Sequence, residues 1–213
     1  AVGPRINAAG RLASMETGIE CLLADDPERA HYLADCLNNT NQERRTLEAE
    51  MQETALAAIA GTDLEQTPAL AIYDEGFNEG VVGLVAARIR EKTNRPVVAF
   101  APSESGNLKG SGRSIPGVHL RDAIDLVAKR LPDAVLKFGG HAMAAGLTLR
   151  PERLADFRAA FEEAVRTLAD PHAFEHTVMT DGELRPTDIT ERLVMETDRQ
   201  IWGQGFEPPL FAN

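Results

Sequence analysis

Lys109-Gly110-Ser111-Gly112-Arg113-Ser114 and Phe138-Gly139-Gly140-His141 gather most of the side chains in this sequence that could do chemistry on an anion. Glycine lets backbone N–H groups approach a charged oxygen closely, the serine hydroxyls add donors, and Arg113 offers a planar fork matched to phosphate. Together the stretches describe a phosphate cradle, with His141 able to donate to a phosphate or to take part in proton transfer. The ordinary alternative is a turn beside an edge glycine, and for His141 a satisfied polar residue near a turn. Neither stretch has the G-x-x-x-x-G-K-[ST] or G-x-G-x-x-G spacing, which disfavours a kinase or a Rossmann dehydrogenase.

Hydrolysis of a phosphodiester without a covalent intermediate commonly uses metal ions held by clustered Asp and His. The sequence offers no such cluster. His119, His172 and His176 form no H-x-x-x-H pair with an adjacent acid, and there is no Asp-His-His run. Asp74-Glu75 lacks a His partner and reads better as a solvated loop or as charge at the start of the next helix. Ser111, Ser114 and His141 lie in no G-x-S-x-G elbow. Cys21 and Cys36 belong to no C-x-x-C pair and read as small core or boundary residues.

The net charge of −11 argues at first against a polyanionic partner. Its distribution argues the other way. Residues 107–150 carry seven bases against three acids, and residues 1–13 carry two bases and no acid. Residues 14–65 and 151–213 hold the acidic excess, with twelve acids against three bases and thirteen against six. An anion site therefore belongs to 107–150, with a solvated basic face as the alternative. The hydrophobic fraction of 43% is enough for a packed core. No apolar run approaches a membrane span and no signal peptide pattern opens the chain, so the expectation is a cytoplasmic protein.

The elements that must position these residues follow from periodicity and breakers. Asp26-Pro27-Glu28 reads as an N-cap with Pro at the first helical position, opening a helix that Gly61 ends. About 30 helical residues would span roughly 45 Å, so either a break near Asn38-Asn39-Thr40-Asn41 or a bridge between domains is expected, and the bridge is favoured. Residues 69–73 and 96–101 read as buried strands around a helix at 80–90, a crossover that makes the strands parallel. Residues 107–114 hold too many glycines for a helix and read as an irregular strand or a strand edge. Helices at 120–130 and 152–168 enclose a lead-in at 134–137 and a strand at 142–149. Beyond Pro171, residues 174–180 alternate as a strand would. The chain opens without Met and stops at Phe211-Ala212-Asn213 with no terminating element, and is expected to be part of a longer protein.

Four stretches in this order resemble the RecJ-type single-strand-specific exonucleases of the DHH superfamily. They are Gly3-Pro4-Arg5-Ile6-Asn7-Ala8-Ala9-Gly10-Arg11-Leu12, Glu75-Gly76-Phe77-Asn78-Glu79-Gly80-Val81-Val82-Gly83-Leu84, Gly110 to Ser114, and Phe138 to Leu147. Trp202 to Phe211 resembles a stretch of that family's oligonucleotide-binding fold. The resemblance covers nearly the whole chain.

The resemblance implies an α/β fold, a mixed β-sheet flanked by helices, preceded by a long linker helix and followed by an incomplete β-rich tail. Residues 1–65 would be the helical linker from a missing catalytic domain, 66–170 a DHH-associated substrate-binding domain, and 171–213 part of the oligonucleotide-binding fold. The missing domain would hold Mn2+ or Mg2+ and cleave the phosphodiester, with no metal expected in the present residues and the fragment inactive alone. Arg5, Ser111 and Arg113 are then the expected 5′-phosphate contacts, with Ser114 secondary. Gly139, Gly140 and His141 would sit nearest the scissile phosphate, with His141 as the catalytic candidate. Asn7 and Arg11 would organise their loop, and Glu75 and Asn78 would cap the following helix. The implied activity is 5′-to-3′ exonucleolysis of single-stranded DNA in repair and recombination, with a single-strand-binding protein or a helicase as a further partner. Two alternatives stay open: a stand-alone module binding single strands or a partner protein, and a DHH phosphodiesterase acting on short oligonucleotides or cyclic dinucleotides.

Overall fold

The computed structural model describes residues 2–175, 178–203 and 206–212. His176, Gln204 and Gly205 lie outside the described residues. The chain divides into two units, Ala1–Phe174 and Glu175–Asn213.

Three helices open the first unit: α1 (Gly3–Leu12), α2 (Glu16–Leu23) and α3 (Pro27–Ile59). Asp26 caps α3 as expected, its carboxylate accepting from the backbone N–H groups of Glu28 at 3.2 Å and Arg29 at 3.3 Å. The break considered at Asn38–Asn41 does not occur, and α3 runs unbroken for 33 residues. Asparagine weakens a helix when its side chain competes for the local backbone. Here Asn38 instead accepts from Arg5 Nε at 3.0 Å, and Asn41, buried at 5% exposure, accepts from Arg44 Nη2 at 3.1 Å.

The sheet follows. Strand β1 (Leu70–Tyr73), helix α4 (Val82–Thr93) and strand β2 (Val97–Pro102) form the expected parallel crossover. Then come β3 (Leu108–Arg113), α5 (Leu120–Arg130), β4 (Val135–Gly140), β5 (Ala144–Leu149), a 3-10 turn at Pro151–Arg153 and α6 (Leu154–Leu168). The spatial order is β1-β2-β3-β5-β4, antiparallel from β2 onward.

Strand β3 corrects the reading of 107–114 as an irregular strand or strand edge, because it is a regular central strand paired along its whole length on both sides. Its glycines are there for packing. A Cβ on Gly110 would stand 2.5 Å from Phe100 Cε1 and 2.7 Å from Leu147 Cδ2, and one on Gly112 would stand 2.8 Å from Leu120 Cδ2.

The two faces of the sheet are covered differently. On one, Val98, Phe100, Leu147 and Leu149 meet α5 and α6, and Phe100 stands edge-on to Phe157 at 5.3 Å. On the other, Leu70, Ile72, Val97, Ala99 and Ala101 pack under α4, joined by Met51 and Ala55 of α3. That second cover reaches β3 and stops. Lys109, Lys137, Gly139 and Gly146 remain exposed on the half of this face formed by β3, β5 and β4.

In the second unit Thr190 caps α7 (Glu191–Asp198), accepting from Leu193 N–H at 3.2 Å, and Trp202 stacks on Phe206 at 4.9 Å. The expected β-rich tail is not seen among the described residues, which show there only an isolated bridge between Gly203 and Phe206. A helix satisfies its backbone locally, whereas a strand needs a partner, and Val178 and Met179 have none among the described residues. Among the described residues no helix is long and apolar enough to cross a membrane.

Candidate functional site

Side chains alternate along a strand, and residues facing each other across a ladder share a face. In β3 this sends Leu108, Gly110 and Gly112 into the α5/α6 core and Lys109, Ser111 and Arg113 to the other face. The register then sorts the open half of that face into rows. Ser111 faces Gly146, which faces Gly139; Lys109 faces Thr148, which faces Lys137; Arg113 faces Ala144. The result is a trough with a floor of small residues, a guanidinium at one end and two ammonium groups at the other.

Arg113 forms the head of the trough. Its Nη1 donates to Ser111 Oγ at 3.2 Å and to the Gly112 carbonyl at 2.8 Å, so hydroxyl and fork lie together. Burial, then the nearby Arg11 and Arg90, lower its pKa. Among the described residues no carboxylate pairs with Arg113, and its neighbour Arg90 makes a long contact of 3.5 Å with Glu91. Three guanidiniums thus set a positive potential at the head. Helix α4 comes this close only because position 83 is glycine, where a Cβ would meet Ser111 Oγ at 2.9 Å and Arg113 Nη2 at 3.0 Å. Arg90 Nε is buried without a hydrogen-bond partner among the described residues.

Arg11 is tied to the loop before α4. Its Nη1 donates to the Gly80 carbonyl at 3.1 Å, and a Cβ on Gly80 would stand 2.1 Å from the Arg11 carbonyl oxygen. The expected capping by Glu75 and Asn78 does not occur: Val81 occupies the N-cap of α4 with no side-chain cap, Asn78 Oδ1 accepts from Gly80 N–H at 2.8 Å in the preceding turn, and Glu75 is exposed.

His141 follows β4 in the turn to β5. Gly140 makes that turn possible, with φ at +146° and no room for a Cβ, which would stand 2.3 Å from the Ala144 carbonyl oxygen. The His141 backbone N–H donates to Ala144 O at 2.8 Å, and Ala144 is the cross-strand partner of Arg113. Arg113 and His141 therefore stand at the same end of the sheet, two strand spacings or about 10 Å apart in backbone. Met143 N–H donates to His141 Nδ1 at 3.2 Å. In the neutral ring the proton is then on Nε2, which makes that nitrogen a donor at the exposed edge.

Two expected contacts lie elsewhere. Ser114 is 1% exposed and its hydroxyl donates to the Val118 carbonyl at 2.7 Å, so it braces the loop before α5 and offers nothing to a ligand. The strand ends at Arg113, and the alternation ends with it. Arg5 turns toward α3, where it bonds Asn38 and lines a polar cleft of about 530 Å³ with Asn41, Gln42 and Arg45. The structure thus joins Ser111, Arg113, Gly139 and His141 and leaves Ser114 and Arg5 outside. It adds Lys109, Lys137 and Thr148, which the sequence does not single out as contacts. The alternation Lys109, Ser111, Arg113 is a legible signal, but the register bringing Lys137 and Thr148 beside Lys109 is not. Among the described residues no group of three or more His, Cys, Asp or Glu is placed to hold a metal ion.

The DHHA1 domain family matches residues 66–167. The single-stranded-DNA-specific exonuclease RecJ of Dickeya dadantii is 45% identical and that of Escherichia coli 43%, each over 99% of this chain and 37% of the relative. The chain thus spans a little over a third of the length of these relatives. The crystal structure of Thermus thermophilus RecJ in complex with Mg2+ is 32% identical and superposes with a TM-score of 0.82, over 98% of this chain and 31% of that one. A crystal structure of exonuclease RecJ bound to manganese is 33% identical, with a TM-score of 0.71 over 83% of this chain and 42% of that one.

Proposed function

Because this chain belongs to the RecJ family and carries its DHHA1 domain, we propose that it is the substrate-gripping part of a 5′-to-3′ single-stranded-DNA exonuclease acting in repair and recombination. The observation that carries this reading is the head of the trough, where a guanidinium without a carboxylate partner and a hydroxyl stand beside a glycine floor open to solvent. A terminal phosphate dianion would take two charge-assisted bonds from Arg113 and one from Ser111, with Arg11 and Arg90 adding to the field. Gly139 and Gly146 let a sugar-phosphate chain lie close on the sheet, and His141 Nε2–H is the donor for the phosphate next to be cut.

The open rows hold no aromatic ring, so the strand is held here by its backbone and without regard to sequence. The divalent ions of the solved relatives find no matching set of ligands among the described residues, and metal-dependent hydrolysis is assigned to a DHH domain that these residues do not supply. Residues 1–65 would link that domain to the trough, 66–170 would form the gripping domain, and 171–213 would begin an oligonucleotide-binding fold. Cytoplasmic location, with a single-strand-binding protein or a helicase as partner, completes the reading.

Arg113→Ala in the full-length protein tests it. Affinity for a 5′-phosphorylated single strand should fall about tenfold or more, against less than threefold for the same strand with a 5′-hydroxyl, as expected for losing charge-assisted bonds of about 1.5–3 kcal/mol. Equal losses on both strands would remove the proposed role.

A further inference from the structure

The other end of the trough has no part in the grip on the terminal phosphate. Lys109, Thr148 and Lys137 form one row across β3, β5 and β4, with Lys109 Nζ donating to Thr148 Oγ1 at 3.2 Å. Both ammonium groups are exposed, and among the described residues neither has a carboxylate partner on this face. Below the row is a cavity of about 360 Å³, with Gly139 and Gly146 on its floor toward the head of the trough. Ammonium groups on either side of one hydroxyl repel one another and are relieved by an anion between them.

Spacing says which anion. Residues on one face of a strand recur about every 6.6–6.8 Å, so Lys109 stands about 13 Å from Arg113 along β3. An extended nucleotide chain repeats its phosphates at close to that two-residue interval. We propose that the Lys109–Thr148–Lys137 row is a second phosphate site, holding the backbone two nucleotides inward from the 5′ end. This rests on the terminal phosphate sitting at Arg113. The inner site sets a minimum substrate length: a dinucleotide reaches the head alone, and a longer strand bridges both ends of the trough. It also fixes the direction of the chain along β3, from Arg113 toward Lys109.

The test is Lys109→Ala with Lys137→Ala in the full-length protein, read by anisotropy of labelled, 5′-phosphorylated thymidine oligonucleotides with chelator present to keep them intact. For a twelve-nucleotide strand the Kd should rise about tenfold and the slope of log K against log salt should flatten by about 0.7, the loss of one phosphate contact on a single strand. The Kd of a 5′-phosphorylated dinucleotide should move less than about twofold on the same scale. Lys109→Arg with Lys137→Arg should restore most of the long-strand affinity, because charge rather than shape is required. An unchanged Kd for the long strand would overturn the proposal, and so would an equal loss on the dinucleotide. Failure of the terminal-phosphate reading shows separately, as equal losses in Arg113→Ala on 5′-phosphorylated and 5′-hydroxyl strands.

Discussion

Gly110 and Gly139 belong to the same sheet and would receive a methyl group very differently. Gly110 points into the α5/α6 core against Phe100 and Leu147, whereas Gly139 points to the open face with nothing within 4 Å of its Cβ position. Gly110→Ala should therefore cost about 1–3 kcal/mol of stability, the range for overpacking a tight core, seen as a lowered thermal midpoint. Gly139→Ala should leave stability within about 0.5 kcal/mol of wild type and weaken single-strand binding several-fold, because the floor of the trough is raised by a methyl. The reverse pattern would mean that the open face is not the binding face. At this scale the sequence is partly legible. Residue types at 109–113 point to an anion site, and period-two alternation places Ser111 and Arg113 together. Ser114 misleads because nothing in the residue types says that the strand stops one position earlier, and Arg5 because its partner, Asn38, is 33 residues away.

Among the elements, α3 is the most legible at its start and the least in its middle. Asp26, Pro27 and Glu28 are a local capping signal, and Asp26→Ala should cost about 1 kcal/mol in thermal or denaturant unfolding, unless the two capping bonds contribute nothing. The run Asn38–Asn41 suggests a break because propensity sees only the backbone, while Asn38 is held by Arg5 of α1 and Asn41 by Arg44 one turn further along α3. Strand β3 escapes for the same kind of reason. Its glycines are poor strand formers in isolation, and Phe100, Leu147 and Leu120, which require them, come from other elements. The crossover through α4 and the amphipathic helices α5 and α6 are legible because their periodicity is strong and continuous. The alternation at 174–180 corresponds to no strand at 174–175 and 178–180, and His176 and Thr177 lie outside the described residues.

Over the whole molecule the sign of the net charge misleads and its placement informs. A chain of net charge −11 presents Arg113, Lys109 and Lys137 on one open half-face, and that face rather than the total sets which ligand can approach. The long helix is more than a spacer, since Met51 and Ala55 help close the core under α4 and the same α-helical cover stops where the trough begins. The direct test is a crystal structure of the full-length protein with a 5′-phosphorylated single strand. The terminal phosphate should lie within hydrogen-bond reach of the Arg113 fork and the Ser111 hydroxyl, with the backbone running over Gly146 and Gly139 toward Lys109. A phosphate seated instead in the Arg5 cleft of α3, or a strand lying on the α5/α6 side of the sheet, would contradict the account.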